Sequence, residues 1–240
     1  MSVARNTLVQ SSLTLASRVL GMVRDILLVA RIGAGPVGDA WATAQQFPNL
    51  FRRVFAEGAF ASAFVPTYAR TLESEGAEAA RVVAQEAMRV LFAATAALTI
   101  LAQVFMPWVL LLIHGGQADD AVHYDLAVFL TRITMPYLTF MALGALLSGV
   151  LNSSERFILS AGVPTILNLC LIPAAFVSTD PVLTAKAASI AYFVAGMLQA
   201  GALWWGGGLQ SFRACHGRRV RWTRNPAAQP WMKVSAWPWR

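Results

Sequence analysis

Four long stretches without a single charged residue constrain this chain more than anything else in it. They cover residues 90–113, 133–151, 157–179 and 187–212. Each is about the 20 apolar residues that a helix needs to cross a hydrocarbon core. Buried soluble helices are rarely this long and this free of charge. Composition agrees: 57% of the residues are hydrophobic and 13% charged, whereas a soluble domain carries about 25% charged residues. The expected class is an all-α integral membrane protein.

Six spans are expected, forming one helical bundle. The first covers residues 7–32 and ends at Gly33-Ala34-Gly35-Pro36, where Gly and Pro stop a helix. The second covers 39–69 and is disturbed at Pro48, which removes a backbone donor. A short surface amphipathic helix is expected over the charged stretch from Arg70 to Glu86, leading into a third span at 88–113. The remaining spans are expected at 126–151, 157–177 and 183–205. Loop arginines and lysines set the orientation. Arg5, Arg70, Arg81, Arg156 and the basic tail fall on one side, while the 114–125 loop on the other has no Lys or Arg. Both termini are therefore expected in the cytoplasm, with the protein multi-pass in the cytoplasmic membrane.

Several function classes fall away. The net charge of +7 comes largely from the last 30 residues and from arginines inside spans, so it makes no solvated basic face for nucleic acid. Cys170 and Cys215 are far apart, and His114, His123 and His216 are scattered. No metal, redox or other cofactor site is expected from them. The charged N-terminal stretch also lacks a signal-peptide pattern. No nucleophile–base or paired-carboxylate constellation suggests an enzyme.

The first two spans are where the chain departs from bland membrane helices. The first carries Arg18, Arg24 and Asp25, the second Asp39, Arg52, Arg53 and Glu57. A charge at mid-membrane costs roughly 2.5–3.5 kcal/mol on insertion scales. Arg18, Arg24 and Arg52 have no obvious local acid, so together they cost on the order of 8–10 kcal/mol unless they meet water or a partner. Helical spacing puts Arg18 and Asp25 on one face, since positions seven apart align. In the second span Asp39, Thr43, Gln46, Leu50, Arg53 and Glu57 form one stripe, and Gln45, Asn49 and Arg52 another beside it. Helices polar on one side and apolar on the other line an internal polar cavity. Two plainer roles remain open. Arg53 and Glu57, four apart, could simply neutralise each other, and Asp39 could serve only the helix N-terminus. Arg24 and Asp25 are adjacent and are expected to point about 100° apart, without full pairing. A guanidinium stays charged and grips phosphate as a bidentate fork, so unpaired arginines in a membrane cavity suit a diphosphate.

At these residues the chain resembles the MurJ (MviN) lipid II flippase family. The run from Ser17 through Arg18-Val19-Leu20-Gly21-Met22-Val23-Arg24 to Asp25 is similar to that family's first-helix motif. Asp39-Ala40, the run from Pro48 to Phe60 containing Arg52-Arg53 and Glu57, and Ala63-Phe64-Val65-Pro66 resemble its second-helix signature. Pro136-Tyr137, Gly149-Val150-Leu151-Asn152, Arg156-Phe157 and Pro164-Thr165-Ile166-Leu167-Asn168 fit as well, so the resemblance covers about residues 5–205. It implies one lobe of a two-lobe exporter in the multidrug/oligosaccharidyl-lipid/polysaccharide superfamily, working by alternating access. The implied substrate is lipid II, an undecaprenyl diphosphate bearing a disaccharide-pentapeptide, exported for peptidoglycan biosynthesis. The family's cavity arginines correspond to Arg18, Arg24 and Arg52, with Asp25 and Asp39 as polar partners. Gln46 stands where many relatives have a lysine.

Two alternatives compete: an exporter of another polyprenyl-diphosphate glycan or small molecule, and a membrane-embedded enzyme acting on a polyprenyl diphosphate. Only membrane lipids and the lipid-linked substrate are expected as partners. Residues 1–205 are expected to form the lobe. Residues 206–240 read differently, with Gly206-Gly207-Gly208, seven further residues of basic type or Cys up to Arg224, and four tryptophans, without helical period. A basic interfacial anchor or a shifted reading frame would each explain this tail. The second would leave a truncated chain, inactive alone.

Overall fold

The computed structural model describes the backbone of residues 2–56, 59–113, 121–153 and 157–205, and the side chains of 11–50, 62–112, 124–152 and 160–205. These residues form eight helices and, among the described residues, no strand: α1 (Ser2–Ile32), α2 (Pro36–Ala56), α3 (Ala59–Ser74), α4 (Ala77–Ile113), α5 (Ala121–Thr134), α6 (Tyr137–Ser153), α7 (Phe157–Ala174) and α8 (Pro181–Leu203). α2 and α3 both pack along α6, and α5 leads into α6 at Pro136, so the eight helices make six passes. The 31 residues of α1 span roughly 46 Å, ample for a hydrocarbon core of about 30 Å.

Three sequence expectations change. The second span is two helices, α2 and α3. The amphipathic stretch is not a separate element: its beginning closes α3, and residues from Ala77 onward are the first turns of a 37-residue α4. The fourth span breaks at Met135-Pro136, because Pro136 has no N–H to donate and its ring crowds the carbonyl of Arg132 four residues back.

The turn between α1 and α2 needs its glycines. Gly33 has φ 82°, and its N–H closes onto the carbonyl of Val29 at 2.9 Å. A Cβ on Gly38 would lie 2.3 Å from the Gly33 carbonyl oxygen. At the same end of the bundle, where Arg31 lies over the Phe176 ring, Asp180 caps α8, its carboxylate accepting from the N–H of Leu183 at 3.0 Å, with Pro181 in the first turn.

The polarity of the bundle suits lipid. Ile100, Leu101, Val104, Phe105, Trp108 and Leu112 of α4 point outward, Leu112 at 84% exposure, whereas Thr95, Thr131, Thr134, Asn168, Thr184, Ser189 and Gln199 are buried. Three segments among the described residues, Ala77–Leu112, Tyr124–Asn152 and Pro181–Leu203, are long and apolar enough to cross a membrane. α1 and α2 are the polar ones, and they face inward on α7 and α5. The protein is a multi-pass membrane protein.

Inside the bundle, side chains take the place of lost helical bonds. Pro136 frees the carbonyl of Arg132, which accepts from Gln103 Nε2 of α4 at 2.7 Å. Pro48 frees the carbonyl of Ala44, which accepts from Thr134 Oγ1 at 3.0 Å. A buried carbonyl left unmet costs about 1–3 kcal/mol. Aromatic rings lock the centre: Trp41 and Tyr137 each meet Tyr192 edge-on, at 5.8 Å and 5.5 Å.

α6 and α8 approach so closely that Gly196 has no room for a side chain. A Cβ there would sit 2.8 Å from Tyr137 Cδ2 and 3.2 Å from Phe140 Cβ. Gly196→Ala is therefore expected to destabilise the bundle by about 1–3 kcal/mol despite alanine's better helix propensity. Thermal unfolding in detergent measures it, and an unchanged or raised midpoint would contradict it.

Candidate functional site

α1, α2, α3, α6, α7 and α8 line a half-open cavity of about 490 Å³. Its polar lining includes Arg18 and Arg24 from α1, Asn49 from α2, Asn152 from α6, Asn168 from α7 and Gln199 from α8. Phe64, Met141 and Val163 supply apolar wall. A second, smaller cavity of about 290 Å³ lies under the α1–α2 turn and is lined by Asp25, Asp39, Trp41 and Gln45.

Arg24 is the centre of the larger cavity's polar chemistry. Its side chain is only 14% exposed, against 56% for Asp25. Nε and Nη2 donate to one carboxylate oxygen of Asp25 at 2.9 and 2.7 Å. Nη1 donates to Asn168 Oδ1 at 2.9 Å. Asn168, 4% exposed, donates in turn from Nδ2 to the Ser17 carbonyl at 2.8 Å. α7 thereby holds α1 at two heights, with Gly21 between them, where an added Cβ would lie 3.7 Å from the Asn168 amide.

The structure corrects two expectations about α1. Arg24 does pair with the adjacent Asp25, because a long flexible guanidinium stem reaches round the helix and cancels the 100° offset. Arg18 and Asp25 do not serve one cavity: Arg18 lines the larger and Asp25 the smaller. Arg18 is exposed and makes no salt bridge among the described residues.

α2 sorts its stripes unequally. Asn49 lines the larger cavity and Gln45 the smaller, so the two members of the narrower stripe whose side chains are described each meet a cavity. In the wider stripe Thr43 is buried at 5%, whereas Gln46 and Leu50 are exposed. Asp39 stands in the first turn of α2, where the helix dipole favours a carboxylate, and also lines the smaller cavity. Arg52 and Arg53 lie in α2 beyond Asn49, but their side chains, like Glu57 and residues 206–240, lie outside the described residues.

Sequence reasoning missed Asn168, Asn152 and Gln199 as site residues. Each is a single uncharged amide within an apolar helix, and no periodic polar stripe marks it. It also passed over Arg132, whose Nε is buried without a partner in the last turn of α5. Among the described residues no group of His, Cys, Asp or Glu could hold a metal ion.

Fold and site together define a class: a helical membrane bundle whose polar cavity presents arginine between its first and later helices. A family model described as lipid II flippase MurJ matches residues 28–205. The probable lipid II flippase MurJ of Rhizobium tropici is 42% identical over 207 residues, covering 83% of this chain and 38% of the relative. The lipid II flippase MurJ of Burkholderia cenocepacia is 38% identical over 200 residues, covering 83% and 39%. A solved structure of lipid II flippase MurJ in an inward closed conformation superposes with a TM-score of 0.70 at 27% identity, covering 87% of this chain and 46% of that one. This chain belongs to the lipid II flippase MurJ family. It spans only 38% and 39% of the length of these two curated relatives.

Proposed function

We propose that this chain is the N-terminal lobe of a lipid II flippase, a transporter rather than an enzyme, acting in the cytoplasmic membrane with both termini inside. Its cavity binds the diphosphate and the first sugars of lipid II, and export requires the second lobe that the longer relatives carry. The observation behind this reading is Arg24, largely buried in a membrane cavity and held by neutral Asn168 on one side and by half-exposed Asp25 on the other. An ion pair with an exposed carboxylate is worth about 0–1 kcal/mol. A charge-assisted hydrogen bond to a phosphate is worth about 1.5–3 kcal/mol. A diphosphate can therefore displace Asp25 while Asn168 keeps the guanidinium aimed into the cavity. Arg18, two turns nearer the N-terminus on the same cavity wall, takes the second phosphate. Arg52, Arg53 and Glu57 complete the polar surface in this proposal, with Asp39 set apart at the smaller cavity and Gln46 contributing no charge. The amides Asn49, Asn152 and Gln199 suit sugar hydroxyls, which need both donors and acceptors.

The test is binding of undecaprenyl diphosphate and of undecaprenol to the chain in nanodiscs. Saturable binding of the diphosphate alone is expected, with equal binding of the neutral alcohol counting against the proposal. Arg18→Ala is expected to weaken diphosphate binding about threefold to tenfold, less than loss of the buried Arg24, because an exposed arginine's contacts are screened.

A further inference from the structure

We propose that Thr134 is a positioning residue for the cavity: its hydroxyl latches α2 at Pro48 and so sets where the far half of that helix, with Asn49 and Arg52, stands. The placement rests on four facts. Pro48 lies inside α2 and cannot donate to the carbonyl of Ala44. That carbonyl belongs to a residue with 0% exposure, so water does not replace the bond. Thr134, also at 0% exposure, donates to it at 3.0 Å across 90 positions of sequence. And Asn49, the residue after Pro48, lines the larger cavity.

The same hydroxyl has a second acceptor. Thr131 O in its own helix is 3.1 Å away. One proton serves one of the two carbonyls well at a time. With the proton on Ala44, the weak point of α2 is tied to α5. With it on Thr131, the hydroxyl remains satisfied and α2 is released. Thr134 is the last residue of α5, two positions before Pro136 interrupts that pass as well. Two interrupted passes thus meet at one hydroxyl, the kind of bistable contact through which a cavity wall changes shape. The hydroxyl touches no proposed substrate contact; it acts through α2.

Its link to substrate binding rests on the proposed function, so the experiment reads shape and binding separately. Spin labels at L50C on α2 and L169C on α7, both exposed positions, report the distance across the cavity in the full chain carrying C170S and C215S. T134V, which removes the hydroxyl at constant shape, is expected to broaden the distance distribution, and T134S to leave it narrow. P48A restores the backbone N–H to Ala44 O, so T134V in that background should leave the distribution narrow. Undecaprenyl diphosphate binding should fall about threefold in T134V, in line with hydrogen bonds inside membranes, and recover in the P48A/T134V pair. A distribution equally narrow in wild type and T134V, or equally broadened with and without Pro48, overturns the latch. Should T134V not survive extraction, the pair alone decides: narrow supports the latch, broad overturns it. If no variant binds the diphosphate while the distances behave as expected, the latch stands and the substrate assignment fails.

Discussion

Arg24→Ala is expected to lower undecaprenyl diphosphate affinity about tenfold to a hundredfold while leaving membrane insertion intact. The magnitude follows from losing one charge-assisted hydrogen bond, worth about 1.5–3 kcal/mol. Arg24 is 14% exposed, so its contacts are less screened than those of Arg18. Insertion should not suffer, because removing a charge from a membrane helix lowers its transfer cost. Arg24→Lys is expected to recover only part of the affinity. An ammonium can reach Asp25 or Asn168 but cannot donate to both and to a phosphate in the planar fork that Nε, Nη1 and Nη2 present. Titration of the wild type and both variants in nanodiscs checks the order. Wild-type affinity in Arg24→Ala would remove Arg24 from the site.

Asn168→Leu is expected to damage both stability and binding, which separates it from Arg24→Ala. Asn168 is 4% exposed and makes two inter-helix hydrogen bonds, to Arg24 Nη1 and to the Ser17 carbonyl. Leucine fills the volume but leaves a guanidinium donor in the cavity without its acceptor, at a cost of about 1–3 kcal/mol. A fall in the thermal midpoint together with affinity weakened at least tenfold is expected. Asn168→Asp is the sharper variant. It keeps an acceptor for Arg24 but adds a carboxylate beside it, in direct competition with phosphate, so binding should fall further than stability. Retained binding in Asn168→Asp would show that Arg24 does not meet the phosphate.

Much was legible in the sequence. Charge-free runs of about 20 residues read directly as membrane passes, because hydrocarbon imposes length and polarity on each pass independently of its neighbours. Charged residues inside α1 and α2 were equally plain: cost nominated Arg18, Arg24 and Arg52 for the interior, and the stripe on α2 added Asp39. Arg18 and Arg24 line the larger cavity and Asp39 the smaller.

What a one-dimensional pattern cannot hold is who stands opposite whom. Helical period put Arg18 and Asp25 on one face, yet they open onto separate cavities, because α7 comes against α1 between them and inserts Asn168. The pairing of Arg24 with Asp25 depended on a flexible stem, which Cβ directions do not describe. The prolines were visible, but not their consequences: Ala44 and Arg132 each find a donor 90 and 29 positions away, on a different helix. Sequence determined the passes and their charges because insertion into lipid is paid span by span. Tertiary structure decided the site, because an isolated amide or hydroxyl acquires its role only from the helix packed against it.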